Sequence, residues 1–259
     1  MKMFIIEDLL NELIDISSIV EVGKDEDFDF TRDSEAFVIE SGNILSFADK
    51  KSVVGVRATQ TFGPFDPVGF AEVIGAKEKT TSFKPLTDLR LHKFSASVIK
   101  AKIGVSNILA ESIIKYSIGR IFSHRKTGGN ILLEDKFIYS NYKSLGQFNV
   151  PEGEFIFKVG EQAEVMYFIE KGGVEIVTGN GKPIARLIAG DCFGEAALIK
   201  ERARNFSARA VRPTRLVLIE REVVKKELER EHALVRLTVI LLLKRLNLTN
   251  KLNLIQTES

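Results

Sequence analysis

The chain has no tryptophan, one cysteine and three histidines among its 259 residues. A lone Cys192 excludes an intrachain disulfide, and it reads as a small apolar packing residue, which fits a reducing, cytoplasmic setting. His92, His124 and His232 stand apart, none with a second histidine two or four residues away. No metal-ligating cluster and no Ser-His-Asp or Cys-His arrangement is suggested, so no metal, no cofactor and no enzymatic activity is expected. Net charge is also lacking: 37 basic residues face 35 acidic ones. That balance makes no demand for nucleic acid as a partner. The arginines at 202, 204, 209, 212 and 215 form a local basic run. They lack the interleaved aromatics that stack bases and, Arg204 apart, read as solvent-facing strand residues. No apolar run is long enough to span a bilayer; the longest, Leu237 to Leu243, is far too short. At the N-terminus Glu7, Asp8, Glu12 and Asp15 interrupt the apolar residues, so MKMFIIEDLLNELIDISSIV reads as an amphipathic helix rather than a signal peptide.

What is present is concentrated in FGEAALIKERARNFSARA, Phe193 to Ala210. Gly194 lets the backbone come close to a ligand. Glu195 can accept a hydrogen bond from a hydroxyl. A short helical turn from Ala196 to Ile199 directs free backbone N–H groups at an anion. Arg204 adds a planar, permanently charged partner for phosphate. The order suits a small ligand that carries both an anion and a sugar diol.

Phe193, Gly194, Glu195, Ala196, Ala197, Leu198, Arg204 and Ser207 resemble, in register and without a gap, the phosphate-binding cassette of cyclic nucleotide-binding domains. The resemblance runs from about Lys143 to Asn250, through FIEKGGVEIV (Phe168 to Val177) and the strand Leu216 to Ile219. It implies a ligand, cAMP or cGMP, with Glu195 on the ribose 2′-hydroxyl and Arg204 on the cyclic phosphate. The N–H groups of Gly194 and Ala197 are implied to face ribose and phosphate. Asn205 stands where some members carry a hydroxyl residue that favours guanine. The implied ligand-binding set is Gly194, Glu195, Ala196, Ala197, Arg204, Asn205 and Ser207.

An internal repeat is also legible. Gly69-Phe70-Ala71 lies over Gly194-Glu195-Ala196, an offset of 125 residues that carries VGFAEVIGAKEKTTSF onto FGEAALIKERARNFSA. In that earlier copy Phe70 takes the carboxylate position and Lys79 the arginine position. A phenyl ring accepts no hydroxyl bond, and a lysine is a flexible point charge rather than a fork. The expected fold is α+β and mainly β: two tandem β-roll, jelly-roll-like domains with flanking helices and a long C-terminal helix. Residues 1–125 form the degenerate domain and residues 126–259 the competent one. Glycine turns, among them Gly172-Gly173 and Gly179-Asn180-Gly181, separate alternating segments. A helix is predicted over Val98 to Ser123, and another over Glu222 to Asn250.

The last helix is apolar on more than one side, so it needs more than one partner face. Leu234, Val235 and Arg236 are its candidate lid over a base; the rest suits the first domain, a homodimer contact or an unknown protein partner. The chain therefore reads as a non-catalytic cyclic nucleotide receptor, with cAMP favoured, that regulates a partner through movement of this helix. The alternative is a scaffold of the same fold that regulates a partner without nucleotide. The chain stops about nine residues after Asn250, too few for a helix-turn-helix domain.

Overall fold

The computed structural model describes residues 4–30, 33–48, 59–76, 81–122, 138, 145–198 and 203–258, the last without side chains beyond residue 247. Lys79, the turn at Asp49-Lys50, the stretch His124 to Asn130 and residues 199–202 lie outside that set. The chain divides into two compact bodies. One combines Phe4–Ser106 with His232–Arg245; the other combines Asn107–Glu231 with the end of the chain from Leu246. Residues of the C-terminal helix fall in both bodies.

The first body opens with a short helix α1 (Ile6–Asn11) and a 3-10 turn (Ile14–Ile16), so the expected single N-terminal helix ends early. The β-branched run at Ser18 favours strand, and β1 (Ser18–Val22) follows. One sheet has the order β1-β7-β2-β5, with β2 at Glu35–Ser41, β5 at Pro67–Val68 and β7 at Leu89–Ser95. A second has the order β4-β3-β6, with β3 at Ile44–Ala48, β4 at Thr59–Phe62 and β6 at Thr81–Pro85. Their inner faces share a phenylalanine-rich core of Phe30, Phe37, Phe62, Ile39 and Leu91, with Phe28 and Phe83 edge-on or tilted against it. Helix α2 (Phe70–Gly75) follows β5, and α3 (Ala96–Ile103) follows β7.

The second body begins at α4 (Ile108–Phe122). The helix predicted over residues 98–123 is thus two helices. Gly104 ends the first, and the Asn107 side chain accepts the Ala110 N–H at 2.9 Å to start the second. A six-stranded sheet follows. Its path is β11-β10-β13-β8, with β12 (Cys192–Phe193) on β10 and β9 (Phe155–Phe157) on β13. Here β8 is Gly146–Val150, β10 Val165–Val177, β11 Pro183–Ile188 and β13 Ser207–Glu220. Gly172-Gly173 is not a turn between strands. It is a register shift inside continuous β10, with Gly172 at φ 105° and the Thr214 Cα 2.6 Å from where a Cβ would stand. Val150, Phe157, Ile169, Val174, Phe193 and Leu216 centre the core.

Several pairings in one body have counterparts in the other. Phe37 pairs with Val68 and Lys93; Tyr167 pairs with Phe193 and Leu218. The Ile39 N–H reaches the Asp66 carbonyl as Ile169 reaches Asp191. The Asp66 carboxylate accepts the Gly63 N–H, and Asp191 accepts that of Ile188, both at 2.8 Å. Gly69 (φ 84°) and Gly194 (φ 80°) take the same left-handed turn. These positions keep the offset of 125 residues seen in the sequence, and the offset is 130 upstream of β3 and its counterpart.

After β13 the chain forms α5 (Arg221–Leu228) and α6 (Ala233–Glu258), where one helix was expected. His232 separates them, its Nδ1 accepting the Leu234 N–H at 3.1 Å. Leu234, Val235 and Leu237 to Leu243 are all buried, in keeping with a helix apolar around most of its circumference.

Candidate functional site

Gly194 follows the two-residue strand β12, which pairs with Tyr167 and Phe168 of β10. Its φ of 80° is a conformation that only glycine adopts cheaply. A Cβ there would lie 2.8 Å from Arg204 Nη1 and 3.3 Å from the Val165 carbonyl oxygen. The turn then winds as a 3-10 helix over Glu195–Leu198; Ile199, where the expected turn ends, lies outside the described residues. Within it the Ala197 N–H donates to the Gly194 carbonyl at 3.0 Å, so that N–H closes the turn instead of facing outward as expected. Ala197 and Leu198 are buried, whereas Glu195 and Ala196 are half-buried at the lip.

Arg204 arrives from the loop before β13 and is brought to the same place. Its Nη2 donates to the Val165 carbonyl at 2.7 Å and its Nη1 to the Gly194 carbonyl at 3.3 Å. The guanidinium lies 4.1 Å from the Phe157 ring centroid. Phe157, Tyr167 and Phe193 form a stacked aromatic group beneath it, with Tyr167 and Phe193 at 5.1 Å and 17°. Burial pulls the Arg204 pKa down, and the attraction of Tyr167 and Glu195 opposes that. Burial likewise raises Tyr167, which Arg204 partly offsets. The group is a buried cation on an aromatic floor, with a carboxylate beside it and two backbone carbonyls holding it.

Of the other sequence-predicted residues, Asn205 is exposed. Ser207 is buried and accepts the Val159 N–H at 2.9 Å, so its hydroxyl ties down the end of β9. Leu234, Val235 and Arg236 stand near the start of α6. They belong to the body built on residues 4–106, where Arg236 pairs with Glu12 at 2.6 Å and lies over Phe4 at 5.4 Å.

Three supports went unread in the sequence. Arg221, buried at the start of α5, donates to the Ala197 carbonyl at 2.5 Å and to the Ala163 carbonyl. Tyr116 of α4 is fully buried and donates its hydroxyl to the Cys192 carbonyl at 2.9 Å. Burial, then the charge of Glu195, pushes the Tyr116 phenol well up, so it stays a donor. Arg120, one turn on, is raised first by Tyr116 and then by Glu195 and Asp191. An arginine on an i+4 step from a buried tyrosine is a weak signal, and none of the three lies within the cassette motif.

The second body thus combines a β-roll with a glycine turn, a carboxylate and an inward arginine. Residues 147–231 match the family model of the cyclic nucleotide-binding domain. A protein of Rhodopseudomonas palustris, named provisionally as a potassium channel protein, is 38% identical over 90 residues, which are 34% of this chain and 22% of that protein. The cAMP-dependent protein kinase regulatory subunit of Emericella nidulans is 31% identical over 84 residues, 32% of this chain and 20% of that protein. The chain thus spans about a fifth of the length of these relatives. The solved regulatory subunit of a cAMP-independent protein kinase A from Trypanosoma brucei is 17% identical, over 96% of this chain and 86% of that one, with a TM-score of 0.38. Among the described residues no group of His, Cys, Asp and Glu is placed to hold a metal ion. No described helix is long and apolar enough to cross a membrane.

Proposed function

We propose that the second body is a non-catalytic receptor for one cyclic nucleotide, cAMP in preference to cGMP, and that the first body is a degenerate copy of it. One observation carries the receptor reading: Gly194, Glu195 and Arg204 converge, with Arg204 Nη1 3.3 Å from the Gly194 carbonyl oxygen. Glu195 accepts the ribose 2′-hydroxyl. Arg204 exchanges the Val165 and Gly194 carbonyls for the cyclic phosphate, a stronger, charge-paired acceptor. Asn205 offers no hydroxyl for guanine, which is the ground for preferring adenine. The repeated hydrogen bonds at Asp66 and Asp191 support the copy reading for the first body, and Phe70 in place of Glu195 removes its ribose acceptor.

Regulation follows from what holds the cassette. Arg221 bonds the Ala197 carbonyl, so a shift of the turn on binding is passed to α5 and on to the C-terminal helix. A switch of this kind needs the ligand to prefer the shifted arrangement by a few kcal/mol, roughly the differential affinity that inverts a two-state population. Calorimetric titration with cAMP and with cGMP tests the reading. Saturation at one ligand per chain is expected, with cAMP the tighter. Two equal sites, or heat from neither nucleotide at about millimolar concentration, overturns it.

A further inference from the structure

The first body has its own version of the cassette. Pro67, Val68, Gly69, Phe70, Ala71 and Glu72 line a small cavity there, and Leu242 and Arg245 of the C-terminal helix line it too. All of these residues belong to one compact body. The Arg245 guanidinium lies 4.6 Å from the Phe62 ring centroid. Next to it, Lys244 Nζ pairs with the Asp66 carboxylate at 2.9 Å and donates to the Pro64 carbonyl at 3.4 Å. Asp66 is the carboxylate that closes the turn before the cassette, so the helix grips the part of the roll that leads into Gly69. Burial draws the Arg245 pKa down while Glu72 and Asp66 draw it up.

The corresponding place in the second body is served differently. There the guanidinium comes from the domain's own loop, Arg204, over Phe157. In the first body an arginine from the far end of the chain lies over an aromatic ring beside the cassette. It carries with it a helix whose residues from Leu237 to Leu243 are buried. We infer that the segment His232–Arg245 is the resident occupant of the first body's cassette, which makes that body a docking module for the chain's own C-terminal helix rather than a second receptor. The inference rests on the reading of the first body as a copy of the second. It adds a positive role for a site that substitution at Phe70 only disables. The recognition chemistry is that of a basic-apolar helical segment: Leu242 against the glycine turn, Arg245 on Phe62, Lys244 on Asp66.

The test is hydrogen exchange of the full chain carrying Arg245→Ala or Lys244→Glu, read over residues 62–75. Exchange there should rise about threefold or more, while residues 146–157 of the other body keep the parent rate. A smaller rise at 62–75, or an equal rise in both windows, overturns the inference. Should Arg245→Ala fail to fold, Arg245→Lys, which keeps the charge and loses the flat stacking surface, is read over the same windows against the same thresholds. The readout uses no nucleotide, so it fails or succeeds separately from the receptor reading.

Discussion

Arg204 is held by carbonyls, an aromatic floor and a nearby carboxylate, and each sets a different expectation for its replacement. Arg204→Ala removes a charge-assisted contact worth about 1.5–3 kcal/mol, so nucleotide affinity should fall roughly ten- to a hundredfold in a calorimetric titration. Arg204→Lys keeps the charge but offers the cyclic phosphate a point charge rather than a planar fork. It should recover less than half of the lost free energy, and full recovery would mean that charge alone matters. A second residue-scale expectation concerns pH. Glu175 lies on β10 with Arg209 at 2.9 Å and Arg186 at 3.1 Å, and the Arg209 bond first, against burial, holds its pKa below the ordinary 4.5. That stability is fully present above pH 4.5 and is lost as pH falls through the lowered folded value. His92 and His232 are lowered from 6.5 mainly by burial, so the fold favours their neutral forms. Their contribution is whole above pH 6.5 and is lost as pH falls through their folded values. Melting temperature should therefore decline in two stages on acidification. Glu175→Gln should flatten the lower stage and cost on the order of 1 kcal/mol at neutral pH.

At the scale of elements, the 3-10 turn depends on the hand of one glycine. Gly194→Ala places a methyl group 2.8 Å from Arg204 Nη1 in a left-handed turn. The strain is roughly 1–2 kcal/mol, and it should appear as lost ligand affinity more than as a lower melting temperature, because the guanidinium must move. An affinity within error of the parent would show that the turn relaxes freely. The C-terminal helix is an element whose surroundings matter more than its own pattern. Its apolar stretch at 237–243 is read correctly as needing several faces, but the pattern does not say which faces.

For the whole molecule, the grouping of residues 4–106 with 232–245 makes stability depend on the last helix. Stopping the chain after Glu231 removes Leu234, Leu237, Leu241 and Leu242 from the first body, each buried. Losing several side chains that contribute about 1.5–3 kcal/mol apiece exceeds what a body of this size can lose. Proteolysis of the truncated chain should cut first within residues 4–106 and leave 147–221 intact. Cleavage that begins in the second body would contradict the grouping. The parent chain should resist at both.

The sequence by itself determined the cassette, because its chemistry is local: Gly194, Glu195 and Arg204 lie within eleven positions, and each residue type has one use there. It also picked out Gly69 and Gly194 as matching positions, and both take a left-handed turn. Tertiary structure decided what lies far away in the chain. Tyr116 reaches the Cys192 carbonyl across 76 positions, and Lys244 reaches Asp66 from far along the chain. It decided, too, that Arg236 meets Glu12 and that helices break at Gly104 and His232. Local pattern reports how much apolar surface a segment must bury, but burial is non-directional. Which body takes a helix is settled only when complementary charges and an open face, here Asp66 and the cavity at Gly69, are brought to it by the folded chain.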